Sequence, residues 1–293
     1  LRERNTRKFA ILGDGIVSKI VSKFFSDSVI LTKRKTSIFT DNMFFHDTIE
    51  NRLMLKLFDI DFVSKDIPVY YYNNVTKQTT SKVTDAIRYQ IAREKMGDTS
   101  KPIVLSTMTD LKPKFENLLF DENQLKKRLQ ESSDVIDIFP NYIEEFRDYV
   151  RIHFNTGYFD VEYLINTIPQ PFFAPLISEP IDEYKYRPLI FVTLKTDEDD
   201  YMTYSYYDCM WKRIFVKNKL KCIEFEEYDW NEEKFNIEFP EYTNYQITTI
   251  PYGRISSKEV SDSSRIKHIG RFAQWDHSIT TEHIIHKILN LNT

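Results

Sequence analysis

Glycine is scarce in this sequence, with six in 293 residues. A chain so poor in the one residue that takes left-handed backbone without strain keeps it where a side chain cannot stand, which makes Gly13, Gly15, Gly253 and Gly270 markers worth following. Cysteine is scarcer still. Cys209 and Cys222 lack Cys-x-x-Cys spacing, which argues against a zinc ribbon or a thioredoxin-type pair and leaves two buried thiols. No apolar run approaches the roughly 18–20 residues that cross a bilayer, and Leu1 to Lys8 does not resemble a signal-peptide core, so a cytoplasmic protein without a membrane segment is expected. An excess of positive charge is also lacking. At a net charge of −4 the molecule as a whole is not a nonspecific nucleic-acid binder, although local basic patches leave nucleic-acid contact open.

What is present begins with a strand, a glycine turn, a helix and a second strand. Lys8 to Leu12 is a short apolar run ending in Gly13-Asp14-Gly15. Ile16, Val17, Ile20, Val21, Phe24 and Phe25 then recur at helical spacing, and Ser28 to Thr32 is again strand-like, followed by Lys33-Arg34-Lys35. Helices are expected over Met43 to Ile60, Asp85 to Met96 and Pro113 to Arg128. Strands are expected at 69–72, 135–138, 149–154 and 163–167. Between Leu189 and Glu226, four alternating segments read as an antiparallel sheet. The fold class is α/β. Residues 1–70, 131–175 and 243–293 are expected to form a dinucleotide-binding, Rossmann-like domain, interleaved with an antiparallel-sheet substrate domain at 176–242 and a small helical insert at 71–130.

A glycine turn between strand and helix lets backbone N–H groups approach a pyrophosphate, and the helix N-terminus adds partial positive charge. Gly13-Asp14-Gly15-Ile16-Val17-Ser18 supplies such a turn, with the small Ser18 at the third glycine position. The bland alternative is a βαβ turn that holds no nucleotide. About twenty residues on, where a ribose-binding Asp or Glu is usual, stand Lys33 and Arg34. They are either a solvated loop or a phosphate contact of the kind that admits NADPH. Near the other end, Gly270 to His277 reads as a loop entering a helix at 276–291, where Arg271 would add a permanent charge with planar donors for a diphosphate.

Several segments resemble the family of FAD-dependent amine oxidases and UDP-galactopyranose mutases. Phe159 to Pro169 is similar to that group's D-x-V-I-x-T-I-P strand, Pro251-Tyr252-Gly253-Arg254-Ile255 to its P-Y-G-x-I stretch, and Ile269 to His277 to its G-R-x-A-x-W segment. The order of these segments is shared, and the shortened form resembles mutase-like flavoproteins of bacteriophage genomes. The resemblance implies FAD as cofactor, held by Gly13 to Ser18 with Thr167, Pro169, Gly270, Arg271 and Trp275. It also implies a substrate wall to which Arg187, Tyr206, Arg213, Tyr252 and Arg254 contribute, acting on a small-molecule or nucleotide-linked substrate such as a nucleotide-sugar or an amine. His46, beside two Phe residues, is a candidate for facing substrate or flavin. A metal site is not expected from His277, His283 and His286, which have no accompanying ligand set. This chain departs from the larger enzymes in lacking their Gly-Gly pair and their ribose acid. Two other readings therefore stand beside the flavoenzyme: a degenerate flavoprotein fold kept as a binding or structural viral protein, and a phage enzyme of modified-nucleotide metabolism.

Overall fold

The computed structural model describes residues 7–33, 45–82, 84–96, 114–131, 134–207, 209–256, 258–276 and 278–291. Its first sheet is parallel. Strand β1 (Phe9–Leu12) pairs with β2 (Ser28–Thr32) on one side and β10 (Tyr163–Asn166) on the other; β6 (Val135–Asp137) and β16 (Ile266–His268) complete the order β16-β10-β1-β2-β6. Helix α1 (Ile16–Phe24) makes the crossover from β1 to β2. The strands are nearly continuous apolar runs because both faces are covered. Ile11, Ile30 and Ile165 point to a helical layer built from α1, α2 (Ile49–Leu57), α4 (Glu122–Glu131) and α7 (Thr281–Leu291). The alternate residues Ala10, Leu12, Val29, Leu31, Leu164 and Ile266 face a three-stranded antiparallel sheet of β7 (Tyr142–Glu145), β8 (Val150–Phe154) and β9 (Gly157–Val161). Period-two alternation thus divides one short sheet between two cores.

The second sheet is larger and mostly antiparallel. Its path runs β15 (Gln246–Ile255), β11 (Tyr186–Lys195), β14 (Leu220–Glu226), β13 (Trp211–Lys217), β12 (Tyr201–Tyr206), β3 (Phe62–Asn73) and β4 (Gln78–Thr80), with β5 (Lys114–Phe120) also on β3. The four strands expected between 189 and 226 are all here. Helix α3 (Asp85–Met96) and helix α6 (Glu232–Glu238) flank this sheet, which buries one cluster around Tyr71, Tyr204 and Phe215 and another around Trp211, Phe225 and Phe235.

Five local expectations are corrected. The segment expected as helix from 113 begins as strand β5, since Phe115 and Asn117 alternate inward while Lys114 and Glu116 stay out; the helix starts after Asp121, whose carboxylate accepts from the N–H groups of Asn123 and Gln124. Within the described residues 45–60 the expected helix shortens to α2, because Thr48 caps it by accepting from the Asn51 N–H at 3.2 Å and Phe45 instead bonds to β5. Residues 246–255 join the second sheet, so the return to the parallel sheet occurs at β16. The last helix begins at Thr281, after a turn in which Asp276 accepts from the Ser278 N–H and hydroxyl. Strand β3 spans the expected boundary at residue 70 and belongs wholly to the second sheet. Among the described residues no helix is long and apolar enough to cross a membrane.

The β11–β15 ladder is irregular where Pro188 meets Pro251-Tyr252-Gly253: Arg187 pairs with Arg254 and Leu189 with Ile250. Neither proline can donate to the ladder, which favours a bulge. A Cβ on Gly253 would lie 2.3–2.6 Å from three carbons of the Leu189 side chain. Gly253→Ala is expected to destabilise the fold by about 1–3 kcal/mol through overpacking, read as a lower urea midpoint with an unchanged slope.

Candidate functional site

The C-terminal ends of the central parallel strands converge on the Gly13–Ser18 turn. Gly13 has φ +107°, and a Cβ there would meet the Thr167 hydroxyl and an Ile168 methyl, both at 2.8 Å. Two properties, positive φ and close approach, therefore demand glycine. The Thr167 hydroxyl donates to the Leu12 carbonyl at 2.5 Å, tying the end of β10 to the end of β1. Gly15 is the N-cap of α1, with no side-chain cap and no acidic residue in the first turn. A Cβ on Gly15 would find nothing within 4 Å. Ser18 is buried and turns its hydroxyl back to the Gly15 carbonyl at 2.6 Å, while Asp14 and Lys19 form an ion pair at 2.6 Å beside the turn. Ile16 and Val17 are half-buried on the helix side.

The loop from Gly270 to Asp276 closes this region from the other side. Gly270 has φ +103°, and its absent Cβ would sit 3.3 Å from the Val17 side chain. The loop thus packs against the start of α1, while α7 begins five residues after the loop ends; one helix N-terminus serves the site, not two. Arg271 donates from Nε to the Ile279 carbonyl at 3.2 Å. Trp275 is fully buried at φ +48°, and its indole N–H has no acceptor among the described residues. Pro169 caps the short helix α5 (Gln170–Phe173). Lys33 is exposed at the end of β2. Arg34, residues 36–40 where the larger enzymes carry their Gly-Gly pair, and His277 lie outside the described residues.

Trp275 joins Tyr184, Tyr186, Tyr252 and Phe272 in an aromatic cluster between the two sheets, with Tyr252 meeting Tyr186 at 4.6 Å. Beside it is a cavity of about 490 Å³ lined by Tyr184 to Arg187 and by Arg254, Ile255 and Ser256. Arg187 and Arg254 stand opposite each other across the ladder, a like-charge arrangement that needs compensation. Glu226 and Glu224 supply it. Glu226 lies 3.6 Å from Arg187 and 3.5 Å from Arg254; Glu224 bonds Arg254 and, at 2.6 Å, Arg213. Burial pushes the Glu226 carboxyl up, and Arg254 and Arg187 pull it back. For Arg213, burial disfavours the charge, but Glu224, Tyr204 and Cys222 together outweigh it, and the pKa lies above the usual guanidinium value.

Of the residues expected to form a substrate wall, the structure brings together Arg187, Tyr252 and Arg254. Tyr206 is instead buried in the cluster with Met202, Tyr204 and Phe215. Arg213 belongs to the network behind the cavity. His46 sits by β5, paired with Asn117 and 4.9 Å from the Phe115 ring, and does not line the cavity. Sequence reasoning missed Glu224 and Glu226, two acids on the inward register of a strand among three arginines, and it missed His268, which is buried against Asn166 and Gln170.

The chain matches no family model and no curated protein sequence. Solved structures are similar over nearly its whole length. One is an oxidoreductase from Methanosarcina mazei, at 10% identity and TM-score 0.66 over 97% of this chain and 99% of that one. Another is a CLA-producing fatty acid isomerase from P. acnes, at 8% identity and TM-score 0.63 over 99% of both chains. A third is putrescine oxidase bound to putrescine, at 8% identity and TM-score 0.62 over 98% and 99%. The likeness is one of fold: the chain has the amine oxidase-like α/β architecture, a parallel dinucleotide-type sheet joined to a larger antiparallel one.

The charge network sets one expectation. Glu224→Gln leaves two arginines facing a neutral group in the interior and is expected to cost about 3 kcal/mol, whereas Arg187→Ala, on the partly exposed side, costs less than about 1 kcal/mol. Chemical denaturation of the two variants checks the ordering.

Proposed function

We propose that the protein is a flavoprotein oxidoreductase that holds FAD with its diphosphate on the Gly13–Ser18 turn. The observation that carries this is the open position at Gly15. The N-terminus of α1 has neither a side-chain cap nor an acid in its first turn, and a Cβ at its N-cap meets no atom. Its N–H groups and helix dipole suit a diphosphate. Gly13 and Gly270 bring Thr167, Ile168 and the 270–276 loop close to that position. Thr167, Pro169 and Arg271 would complete the cofactor's surroundings. Lys33 replaces the usual ribose acid, so the adenosine end is held without a carboxylate at that position.

When bound, the flavin supplies hydride chemistry that no side chain of this protein can perform. The protein's own residues bind and orient. Tyr184 and Tyr186 offer aromatic walls beside the cavity; of the three cations in its lining, Arg187 and Arg254 are compensated by Glu226 and Glu224, and Lys185 stands exposed outside that network. The Lys185 ammonium suits an anionic group, so among the readings drawn from the sequence a nucleotide-linked substrate fits better than a bare amine. The likeness in fold to an oxidoreductase and to putrescine oxidase supports the reaction class, and a mutase-type rearrangement is the alternative use of the same cofactor.

Two substitutions at one residue test the placement of the cofactor. Gly15 has an ordinary extended conformation and space for a side chain, so both Gly15→Ala and Gly15→Asp should fold. Gly15→Asp, which sets a carboxylate against the diphosphate, is expected to weaken FAD binding at least a hundredfold in a flavin-fluorescence titration, and Gly15→Ala much less. Equal affinity for wild type and Gly15→Asp would remove the diphosphate from this turn.

A further inference from the structure

Asn166, Gln170 and His268 meet in the interior beside the turn and are almost wholly buried. The His268 Nδ1 lies 3.1 Å from Asn166 Nδ2 and 3.0 Å from Gln170 Nε2. The second bonds of each amide fix its orientation: Asn166 Oδ1 accepts from the Ile168 N–H at 3.0 Å, and Gln170 Nε2 also donates to the Ala273 carbonyl. Both amides therefore present N–H to the imidazole, so Nδ1 accepts and the ring proton is on Nε2. Gln170 grips the loop a second time, its backbone N–H donating to the Phe272 carbonyl at 3.2 Å, and the Asn166 carbonyl accepts from the Ile269 N–H at 2.9 Å. The segments so held are the two that touch the turn: Thr167–Ile168 against Gly13, and Gly270 against Val17.

We propose that Gln170, oriented by neutral His268, is the positioning residue that docks the Gly270–Asp276 loop against the Gly13–Ser18 turn, and that protonation of His268 undocks it. A proton on Nδ1 sets an N–H against two amide donors. Neither amide can turn over to accept from it without giving up its bond to Ile168 or Ala273. The charged groups near the ring are Asp262, whose carboxylate accepts from the His268 backbone N–H at 2.8 Å, and Lys287 of α7, which bonds Asp262; Asn166, Gln170 and Phe173 are uncharged. Burial is the main reason that the His268 pKa is pushed down to about 4, with Asp262 opposing and Lys287 adding to the shift. The sign follows: the docked state binds its proton later than an exposed imidazole, so docking is complete above pH ~6.5 and is lost as the pH falls from there toward 4.

Only the consequence for ligand binding rests on reading the turn as a dinucleotide site, so the primary test uses the ligand-free protein. Backbone hydrogen exchange of residues 270–276, corrected for intrinsic rates, should lose protection about tenfold per pH unit between roughly 6.5 and 4, while β11 to β14 stay protected. His268→Asn keeps an acceptor near the Nδ1 position and cannot titrate, so its loop should stay docked throughout. Asp262→Asn should retain the acid response, and Gln170→Leu should expose the loop at every pH. An acid response that survives in His268→Asn, vanishes in Asp262→Asn, or opens the second sheet together with the loop overturns the proposal. At pH 7, Gln170→Leu is also expected to bind FAD at least tenfold more weakly than wild type. Acid undocking in a wild-type protein that binds no FAD would support the loop's positioning and defeat the dinucleotide reading alone.

Discussion

The parallel pairing of β10 against β1 is the constraint from which the rest of the candidate site follows. It brings Asn166 level with Leu12, sets the Thr167 hydroxyl on the Leu12 carbonyl, and places Thr167 and Ile168 where the Gly13 side chain would be. Because Gly13 can bend at positive φ, the chain leaves β1 and enters α1 at once, which exposes the first N–H groups of that helix at the strand ends. Open α/β sheets offer ligands this position as a rule, at the carboxyl ends of their strands. On the far side of β10, β16 delivers Ile269 and Gly270 to the same place. Segments separated by more than a hundred residues are thus held together by a few buried bonds, and a single amide, Gln170, touches both the imidazole and the closing loop.

A second constraint governs the other half of the molecule. Three arginines and two glutamates on β11, β13, β14 and β15 neutralise one another inside the sheet where it adjoins the aromatic cluster. Such a network adds little to net stability compared with an apolar packing of equal volume, but removing one member is costly. It keeps Arg187 and Arg254 beside the cavity while preventing the two guanidinium groups from forcing the β11–β15 ladder apart. The bulge at Pro188 and Pro251–Gly253 then turns Tyr252 toward Trp275, joining the second sheet to the loop over the turn.

The first strand–turn–helix–strand unit was legible in the sequence almost to the residue, because its signal is local: an apolar run, two glycines and a 3.6-residue repeat. The antiparallel strands of 186–226 were equally plain. What escaped the reading is non-local. Lys114 to Phe120 forms a strand only because β3 lies beside it, and Gln246 to Ile255 is claimed by β11 although the whole of 243–293 was expected to return to the first sheet. Glu224 and Glu226 look like surface charges until the arginines opposite them are known, and His268 acquires a role only through Asn166 and Gln170, about a hundred residues away in sequence. The glycines were the most informative residues at the site, since the fold requires the absence of a side chain at Gly13 and Gly253, and the proposed cofactor requires it at Gly15.

Whether the Gly13–Ser18 turn and the loop above it hold a flavin dinucleotide can be read from the visible absorption spectrum of the purified protein after incubation with FAD and removal of free cofactor at neutral pH. The account predicts the two flavin bands at close to one equivalent per chain, released on heating. A protein that remains colourless after such incubation would contradict it and leave this fold as a binding or structural module.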